Sequence, residues 1–381
     1  MQKFFSNPLS SIANGAIMRT SPVYVQYYVT ARCNLRCQQC NVIFANADQS
    51  ELNTMNSKIV LERLANLGVS VVLFTGGEPF LRSDLPELVQ HAISLGIHPR
   101  LQTNGLATRE QLIEVSEAGA RDISISLDSL APGVQDGING GFENSFDAAL
   151  ESISLVSQVF PPETFAALGC VFSPSNFRDV SQVVEFATRI GWWVSLVPAH
   201  TTTNHSPRAF STFDSSLNFE ADTLPEARTA LDGVKALKKQ GMNVYDSEQY
   251  LDDIYRYIET GKTTWRDRNG GICDSPDSYF AVQPNGDMSV CADYRLPKKE
   301  SLLSQDFTQK YRNGDIHKLA LPVIRSCSGC MYGSFPEISN SLRFGLAATK
   351  RLSMFLAEKR TQIRQVTAED LKAMAQEIRD L

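Results

Sequence analysis

Three cysteines lie within eight residues near the start of the chain, at Cys33, Cys37 and Cys40. Their C-x3-C-x2-C spacing follows the β-like segment 23–30 and places three thiols around one short loop. Thiolates are the usual protein ligands of iron–sulfur clusters and soft metal ions. A structural zinc site normally has four ligands, and no fourth Cys or His lies nearby in the sequence. Three thiolates on a four-iron cluster would leave one iron open to bind and reduce another molecule.

A second polar motif, Gly76, Gly77, Glu78 and Pro79, follows the next predicted strand at residues 71–75. Two glycines allow close approach of the backbone, and carbonyl oxygens together with the Glu78 carboxylate suit a bound cation. Taken alone, the same four residues are also compatible with an ordinary turn.

In this order, and each after a strand, the two motifs resemble the radical S-adenosylmethionine (radical SAM) superfamily over about residues 20–200. The resemblance implies a [4Fe–4S] cluster on Cys33, Cys37 and Cys40 whose fourth iron binds SAM through its amino and carboxylate groups. One-electron reduction would release a 5′-deoxyadenosyl radical that abstracts hydrogen from a substrate, with a reductase, flavodoxin or ferredoxin as electron donor. A zinc or buried-thiol loop is the structural alternative. In the family the residue before the third Cys is usually aromatic or large and apolar, whereas this chain has Gln39 at that position.

Strand and helix patterns alternate from residue 23 to residue 197. Predicted strands cover 23–30, 71–75, 99–103, 122–128, 165–172 and 193–197, and predicted helices cover 56–67, 84–95, 108–117, 144–159 and 176–190. Six strands separated by helices predict an α/β fold with a parallel sheet, curled by right-handed crossovers into a barrel or part of one. The site is then expected at the carboxyl ends of the strands. Radical SAM enzymes of this type have a partial (β/α)6 barrel, which agrees with this count.

Polar residues also end the third and fourth predicted strands. Asn104 follows strand three, and Ser126 and Asp128 end strand four. The resemblance implies that these residues contact the ribose and carboxylate of SAM. Asn–Gly turns and Asp–Ser helix caps are the structural alternatives.

A second group of cysteines comprises Cys273, Cys291, Cys327 and Cys330. Segments 280–283 and 288–291 flank an Asn–Gly turn, which predicts a β-hairpin. This arrangement resembles the first half of the SPASM extension, or the shorter twitch domain, of radical SAM enzymes. Because no Cys follows Cys330, the resemblance implies one fully ligated auxiliary [4Fe–4S] cluster, serving electron transfer or structure. A zinc ion on four thiolates is the physical alternative.

The length of the chain predicts more than one packed unit. A chain of 381 residues exceeds the size at which single cores stop growing. We predict an N-terminal extension (1–20), a radical SAM partial barrel (21–200), a linking loop and helices (201–261), an auxiliary-cluster domain (262–335) and a helical tail (336–381). Capping boxes are expected at Thr108, at Thr223 with Glu226, and at Thr367.

The chemistry of the whole chain excludes several classes of protein. A net charge of −6 argues against nucleic-acid binding. No apolar run approaches eighteen residues, so no transmembrane segment is expected. Residues 1–11 contain no apolar stretch of signal-peptide length, so no signal peptide is expected either. Cysteines grouped as metal ligands rather than disulfides indicate a reducing compartment, which predicts a cytoplasmic protein.

Four residues are weaker candidates for hydrogen or proton transfer: His200, Asp293, Tyr294 and Cys170. His200 follows the sixth strand, and Asp293 and Tyr294 follow a predicted cluster ligand. Each is also compatible with ordinary loop structure. Cys170 lies in an apolar strand, where a thiol usually behaves as a small hydrophobe.

The resemblance favours a ribosomally synthesised peptide (RiPP) as substrate, because SPASM-type radical SAM enzymes mostly modify such peptides. Many of them carry a leader-recognition domain before the triad, and 32 residues precede Cys33 here. A separate leader-binding protein, or the tail with its basic segment 342–364, is therefore expected to recognise the peptide. That segment could instead face a membrane or be a solvated helix face.

The resemblance leaves two alternatives to peptide modification open. One is a radical SAM dehydrogenase of a small sugar or aminocyclitol. The other is a non-catalytic iron–sulfur redox or binding module, against which the motif at 76–79 argues, since an electron carrier needs no SAM pocket.

Overall fold

The structure, a computed structural model, describes residues 21–40, 50–200, 215–267, 270–292, 294–327, 329–343 and 363–381. Its strands are β1 (Tyr24–Thr30), β2 (Val71–Gly76), β3 (His98–Thr103), β4 (Asp122–Ser126), β5 (Phe165–Phe172), β6 (Trp193–Pro198), β7 (Tyr279–Val282) and β8 (Met288–Ser289). Each of the first six lies within one or two residues of its predicted bounds.

Helices connect these strands. They are α1 (Thr54–Leu67), α2 (Leu85–Ser94), α3 (Arg109–Glu117), α4 (Pro132–Ile138), α5 (Ser145–Val159), α6 (Val180–Arg189), α7 (Leu224–Lys239), α8 (Glu248–Thr260), α9 (Phe307–Arg312), α10 (Asp315–Ser326), α11 (Ser334–Arg343) and α12 (Ala368–Asp380). Two short 3₁₀ turns occur at Pro79–Leu81 and Ser215–Leu217.

All eight strands form one sheet, in the order β6-β5-β4-β3-β2-β1-β7-β8. Neighbours from β1 to β6 are parallel, which confirms the predicted α/β fold with its parallel sheet. The predicted hairpin is also confirmed, with β7 antiparallel to β8 and Gly286 in its turn at φ +83°. Strand β7 pairs in parallel with β1, with Tyr279 opposite Tyr24. The segment that carries the second cysteine group therefore extends the sheet at the first strand.

The two faces of the sheet pack differently, because successive side chains on a strand point to opposite faces. Val25, Tyr27 and Val29 belong to the large apolar core, which also contains side chains of the surrounding helices. Tyr24 belongs instead to a small aromatic cluster with Tyr279 on the other face. The face turned away from the main core is thus closed at the start of β1 by aromatic residues.

Two of the three predicted capping boxes are confirmed, those of Thr108 and Thr367. The one at Thr223 is wrong. Thr223 already has helical backbone angles, φ −90° and ψ −15°, and its hydroxyl donates to the Glu220 carbonyl oxygen at 2.9 Å. A side chain caps the first turn only from an extended backbone, so the preceding turn decides the helix start here.

The described ranges contain no helix that combines the length and the apolar content needed to cross a membrane. Of the basic segment 342–364, residues 344–362 lie outside the described residues. Helix α12 packs on the outside of the sheet against α5 and α6.

Candidate functional site

The cysteine triad forms a loop directly after β1. Cys33 Sγ accepts a hydrogen bond from the Leu35 backbone N–H at 3.4 Å, and the Cys40 N–H donates to the Cys37 carbonyl oxygen at 3.1 Å. All three thiols are half-buried. Burial raises the pKa of Cys33 and of Cys37, so thiolates here require a compensating positive charge such as a metal centre.

The segment after β4 supports this loop, a contact that the sequence did not predict. The Gln38 N–H donates to the Ile138 carbonyl oxygen at 3.1 Å, and Cys37 Sγ donates to Asn139 Oδ1 at 3.3 Å. A Cβ on Gly140, at φ +80°, would lie only 2.3 Å from the Arg36 carbonyl oxygen. The Gly140–Gly141 pair was the one sequence signal that could have indicated such a close approach.

Gly76 and Gly77 bring the second motif against the triad loop. The Gly77 N–H donates to the Thr30 carbonyl oxygen at 2.9 Å, and the Glu78 N–H donates to that of Arg32 at 2.8 Å. A Cβ on Gly77 would lie 1.9 Å from the Arg32 carbonyl oxygen, and one on Gly76 would lie 2.3 Å from that of Thr30. Glycine is therefore required for the two motifs to touch each other.

Glu78 connects the ends of β2 and β3 and is 1% exposed. Its Oε1 accepts from the Phe80 N–H at 3.0 Å, and its Oε2 accepts from the Asn104 N–H at 2.8 Å. Burial raises the pKa of Glu78 to about 7, against the opposing effect of these hydrogen bonds. The Asn104 amide donates to Asn34 Oδ1 at 2.7 Å and lies 3.9 Å from Cys33 Sγ. Pro79 opens the 3₁₀ turn that follows.

Asp128 connects the end of β4 to both β5 and the triad loop. Its Oδ1 accepts from the Val171 N–H at 2.6 Å, and its Oδ2 accepts from Gln39 Nε2 at 3.1 Å. The side chain is 2% exposed, and burial raises its pKa to about 7. Gln39, the residue that departs from the family pattern, is thus anchored on Asp128. Ser126 is half-buried at the end of β4.

The four cysteines of the second group line one cavity of about 380 Å³, which includes its open mouth. The Gly329 N–H donates to Cys327 Sγ at 3.4 Å, and Trp265 Nε1 donates to the Cys330 carbonyl oxygen at 2.9 Å. Burial raises the pKa of Cys273 to about 12, an effect that the nearby Arg266 opposes. The donors are four sulfurs in a partly apolar cavity, which fits a thiolate-ligated metal centre.

In the described part of the chain, no three His, Cys, Asp or Glu side chains converge as the ligands of a single metal ion would. Four thiols around one cavity provide the ligands for a four-iron cluster and equally for a structural zinc ion.

The four weaker candidates for hydrogen or proton transfer lie in different parts of the chain. His200 Nε2 accepts from the Met331 N–H at 3.0 Å, its ring stacks on Tyr332 at 3.8 Å, and burial lowers its pKa to about 3. His200 is therefore neutral and links β6 to the second cysteine group. Cys170 is 1% exposed within the main core, and Tyr294 lines the cysteine cavity. Asp293 lies outside the described residues.

Comparison with known proteins gives a family match and several relatives. Residues 27–187 match the family described as the radical SAM superfamily. The PqqA peptide cyclase of Bradyrhizobium diazoefficiens is 34% identical over 265 residues, which are 69% of this chain and 60% of that protein. The AdoMet-dependent heme synthase of Oleidesulfovibrio alaskensis is 34% identical over 178 residues, which are 45% of each chain. The chain thus spans about half the length of the curated relatives it matches.

Solved structures share the fold at low sequence identity. Streptococcus suis SuiB bound to the precursor peptide SuiA has a TM-score of 0.60 at 16% identity, covering 92% of this chain and 76% of that one. Native anSMEcpe, solved with bound AdoMet and the Cp18Cys peptide, has a TM-score of 0.58 at 17% identity, covering 87% of this chain and 99% of that one. At this identity the likeness concerns the fold alone.

Proposed function

Because the chain belongs to the radical SAM superfamily, we propose that it is an enzyme that cleaves SAM reductively and abstracts hydrogen from a carbon of a peptide substrate. The observation that carries this proposal is the direct contact between the triad loop and the glycine motif. Backbone hydrogen bonds from Gly77 and Glu78 reach Thr30 and Arg32, immediately before Cys33. Thiols and a cation-binding turn thus lie at the same strand ends, as a chelated sulfonium cofactor requires.

In this proposal Cys33, Cys37 and Cys40 ligate a [4Fe–4S] cluster, and SAM occupies the remaining iron. Cluster and SAM, when bound, supply the one-electron chemistry and the carbon radical. The protein holds the ligands in place: the Leu35 N–H donates to Cys33 Sγ, and Asn139 meets Cys37. Such contacts to ligand sulfurs orient the ligands and tune the centre.

The cofactor contacts are proposed for the strand ends. Backbone carbonyls of the turn at 76–79 would bind the SAM ammonium, and the buried Glu78 fixes that turn to the end of β3 through the Asn104 N–H. We propose that Asn104, Ser126 and Asp128 contact SAM. Because Asp128 also accepts hydrogen bonds from Val171 and Gln39, it would in addition position the triad loop relative to β5.

The second cysteine group is proposed to hold one auxiliary [4Fe–4S] cluster that transfers an electron to or from the reaction. Four ligating thiols leave no open iron, which favours electron transfer over substrate coordination. The support for this is the shared cavity of Cys273, Cys291, Cys327 and Cys330 and its Trp265 and Gly329 contacts. A reductase, flavodoxin or ferredoxin would supply the electron.

A peptide is the proposed substrate class, modified in the maturation of a ribosomal product. The match to a PqqA peptide cyclase extends over 265 residues, beyond the 27–187 domain that radical SAM proteins share. The match to a heme synthase covers 178 residues. The longer similarity therefore favours a peptide over a small molecule as the substrate.

The test uses anaerobically reconstituted full-length protein in three forms: wild type, the triad changed to Ala, and the second cysteine group changed to Ala. About eight irons per chain are expected for the wild type and about four for each variant. Reduced wild-type protein should convert SAM to 5′-deoxyadenosine, and the triad variant should not.

Substrate class is tested by mass spectrometry of short peptides encoded beside the gene, incubated with enzyme, reductant and SAM. A mass change in such a peptide supports the proposal. Wild-type protein that never forms 5′-deoxyadenosine would contradict SAM cleavage, and turnover of a sugar instead of any peptide would contradict the substrate class.

A further inference from the structure

A buried arginine lies at the cavity of the second cysteine group. Arg266 is 5% exposed and lines the cavity together with Cys273, Cys291, Cys327 and Cys330. Its position is fixed by the surrounding backbone rather than by long flexible side chains. A full positive charge therefore stands, largely removed from water, beside four sulfur donors.

The acceptors that the Arg266 guanidinium meets in the described part of the chain are all neutral carbonyl oxygens. Nη1 donates to the Cys327 carbonyl oxygen at 2.8 Å, and Nη2 donates to those of Gly271 and Ile324. Its Nε is buried and has no acceptor among the described residues. One donor of the guanidinium is thus open to a group other than the described residues.

Another buried arginine, Arg82, is paired with a carboxylate. Arg82 is 6% exposed, and it donates from Nε and Nη2 to the two carboxylate oxygens of Asp84 at 2.8 and 2.6 Å. Burying a charge without an opposite charge is costly, and buried charges are therefore paired or bound to metal centres. The contrast indicates that the partner of Arg266 is an anion bound in the cavity.

We propose that Arg266 is the buried counter-cation of the auxiliary cluster and raises its reduction potential. This inference rests on the auxiliary cluster of the proposed function. A cluster with four thiolate ligands carries net negative charge, and reduction adds one more electron. A fixed positive charge nearby stabilises the reduced state more than the oxidised state, and does so strongly where water is excluded.

The ligand loop is built to keep this charge close. A Cβ on Gly329, between Cys327 and Cys330, would lie 3.2 Å from Arg266 Nη1 and 2.6 Å from Thr263 Oγ1. Glycine at this position, with φ +117°, lets the ligand loop pack directly on the guanidinium. Arg266 is accordingly a positioning and charge-setting residue rather than a catalytic residue.

The experiment isolates the auxiliary cluster by placing each change in the full-length chain whose triad is Cys33→Ala, Cys37→Ala and Cys40→Ala. Arg266→Met removes the charge at similar volume, and Arg266→Lys keeps the charge without the planar fork. Arg256→Met is the matched control, because it removes an exposed guanidinium of α8. Iron content, far-ultraviolet circular dichroism and an EPR-monitored potentiometric titration are measured for each.

Arg266→Met is expected to make reduction of the cluster at least tenfold less favourable, a potential lower by about 59 mV for one electron. Arg266→Lys and Arg256→Met should stay within that limit of the parent. Equal reduction potentials for the parent and all variants, or an equal fall in potential for Arg266→Met and Arg266→Lys, would overturn the role of Arg266. Neither result would contradict the presence of the auxiliary cluster.

Iron content separates the remaining outcomes. If Arg266→Met loses iron and Arg266→Lys keeps it, the need for a positive charge is supported. If both lose iron while the circular dichroism is unchanged, the charge is not the cause and the inference fails. A parent triad variant that holds no iron, or holds zinc, would instead contradict the auxiliary cluster of the proposed function.

Discussion

Gly77→Ala is a sharp perturbation of the site, because it tests the contact between the two motifs with one methyl group. Gly77 is absent from the positive-φ glycines, so its backbone conformation alone does not exclude alanine. The obstacle is the Arg32 carbonyl, whose oxygen and carbon would lie 1.9 and 2.5 Å from the new Cβ. Both atoms belong to backbone, which cannot rotate away as a side chain can.

The expected cost follows from that geometry. Reaching ordinary van der Waals separation requires the turn to move by about 1.5–2 Å from the triad loop. Such a shift breaks the hydrogen bonds of the Gly77 and Glu78 N–H groups to Thr30 and Arg32, which are 2.9 and 2.8 Å long. Leaving buried polar groups unpaired costs about 1–3 kcal/mol for each of the two hydrogen bonds, so the unfolding free energy should fall by about 2–6 kcal/mol.

Urea unfolding of the apo protein, followed by circular dichroism, measures this loss, and iron content after reconstitution reports on the triad loop. Gly133→Ala is the matched control. Gly133 lies in α4 with no heavy atom within 4 Å of an added Cβ, so its alanine variant should be as stable as wild type or about 0.5–1 kcal/mol more stable. A Gly77→Ala protein with wild-type stability and iron content would refute the reasoning.

Three further changes test other contacts. Gln39→Ala leaves the buried Asp128 carboxylate with one hydrogen-bond donor fewer, so it should lower the unfolding free energy by about 1–3 kcal/mol and weaken SAM binding. An unchanged unfolding free energy together with an unchanged SAM affinity, measured by calorimetry, would contradict this role. Asp246 is 1% exposed and accepts hydrogen bonds from the Ser195 hydroxyl at 2.9 Å and the Leu196 N–H at 2.6 Å, both in β6. Burial raises its pKa to about 7, so the folded state binds more protons than the unfolded state and the contribution of this group to stability falls as pH rises towards 7. Asp246→Asn should therefore lose less of its urea midpoint than wild type between pH 5 and pH 7, and an equal loss would refute the raised pKa. Thr367→Ala removes the side-chain oxygen that accepts a hydrogen bond from the Asp370 N–H at 3.1 Å, and should destabilise α12 by about 1 kcal/mol. Amide hydrogen exchange in α12 should therefore be faster than in wild type, and an unchanged exchange rate would contradict the capping role.

Local rules predicted the elements that depend on a few neighbouring residues. The alternation of strand and helix patterns located six strands, and the Asn–Gly pair predicted the turn of the β7–β8 hairpin. Thr108 and Thr367 were correctly predicted as caps, because the Gln or Asp three residues on completes each box. These features follow from spacing along the chain, so folding of distant segments does not alter them.

Contacts between distant segments were beyond such rules. Thr223 carries the same spacing as the confirmed caps, but the turn at Glu220 had already set its backbone angles. Pairing of β7 with β1 joins residues about 250 positions apart, which no periodicity encodes. The hydrogen bond between Cys37 and Asn139 likewise depends on the position of α4 after β4 in the folded chain.

The sequence by itself determined the kinds of group present: two sets of thiols, a glycine turn and a row of polar strand ends. The sequence determines these groups because the chemistry of a ligand depends on the type of its residue. Only the tertiary structure decided which groups meet, such as Glu78 with Asn104, Gln39 with Asp128, and Arg266 with the second cysteine group. Burial and long-range packing set those pairings, and both are properties of the folded chain as a whole.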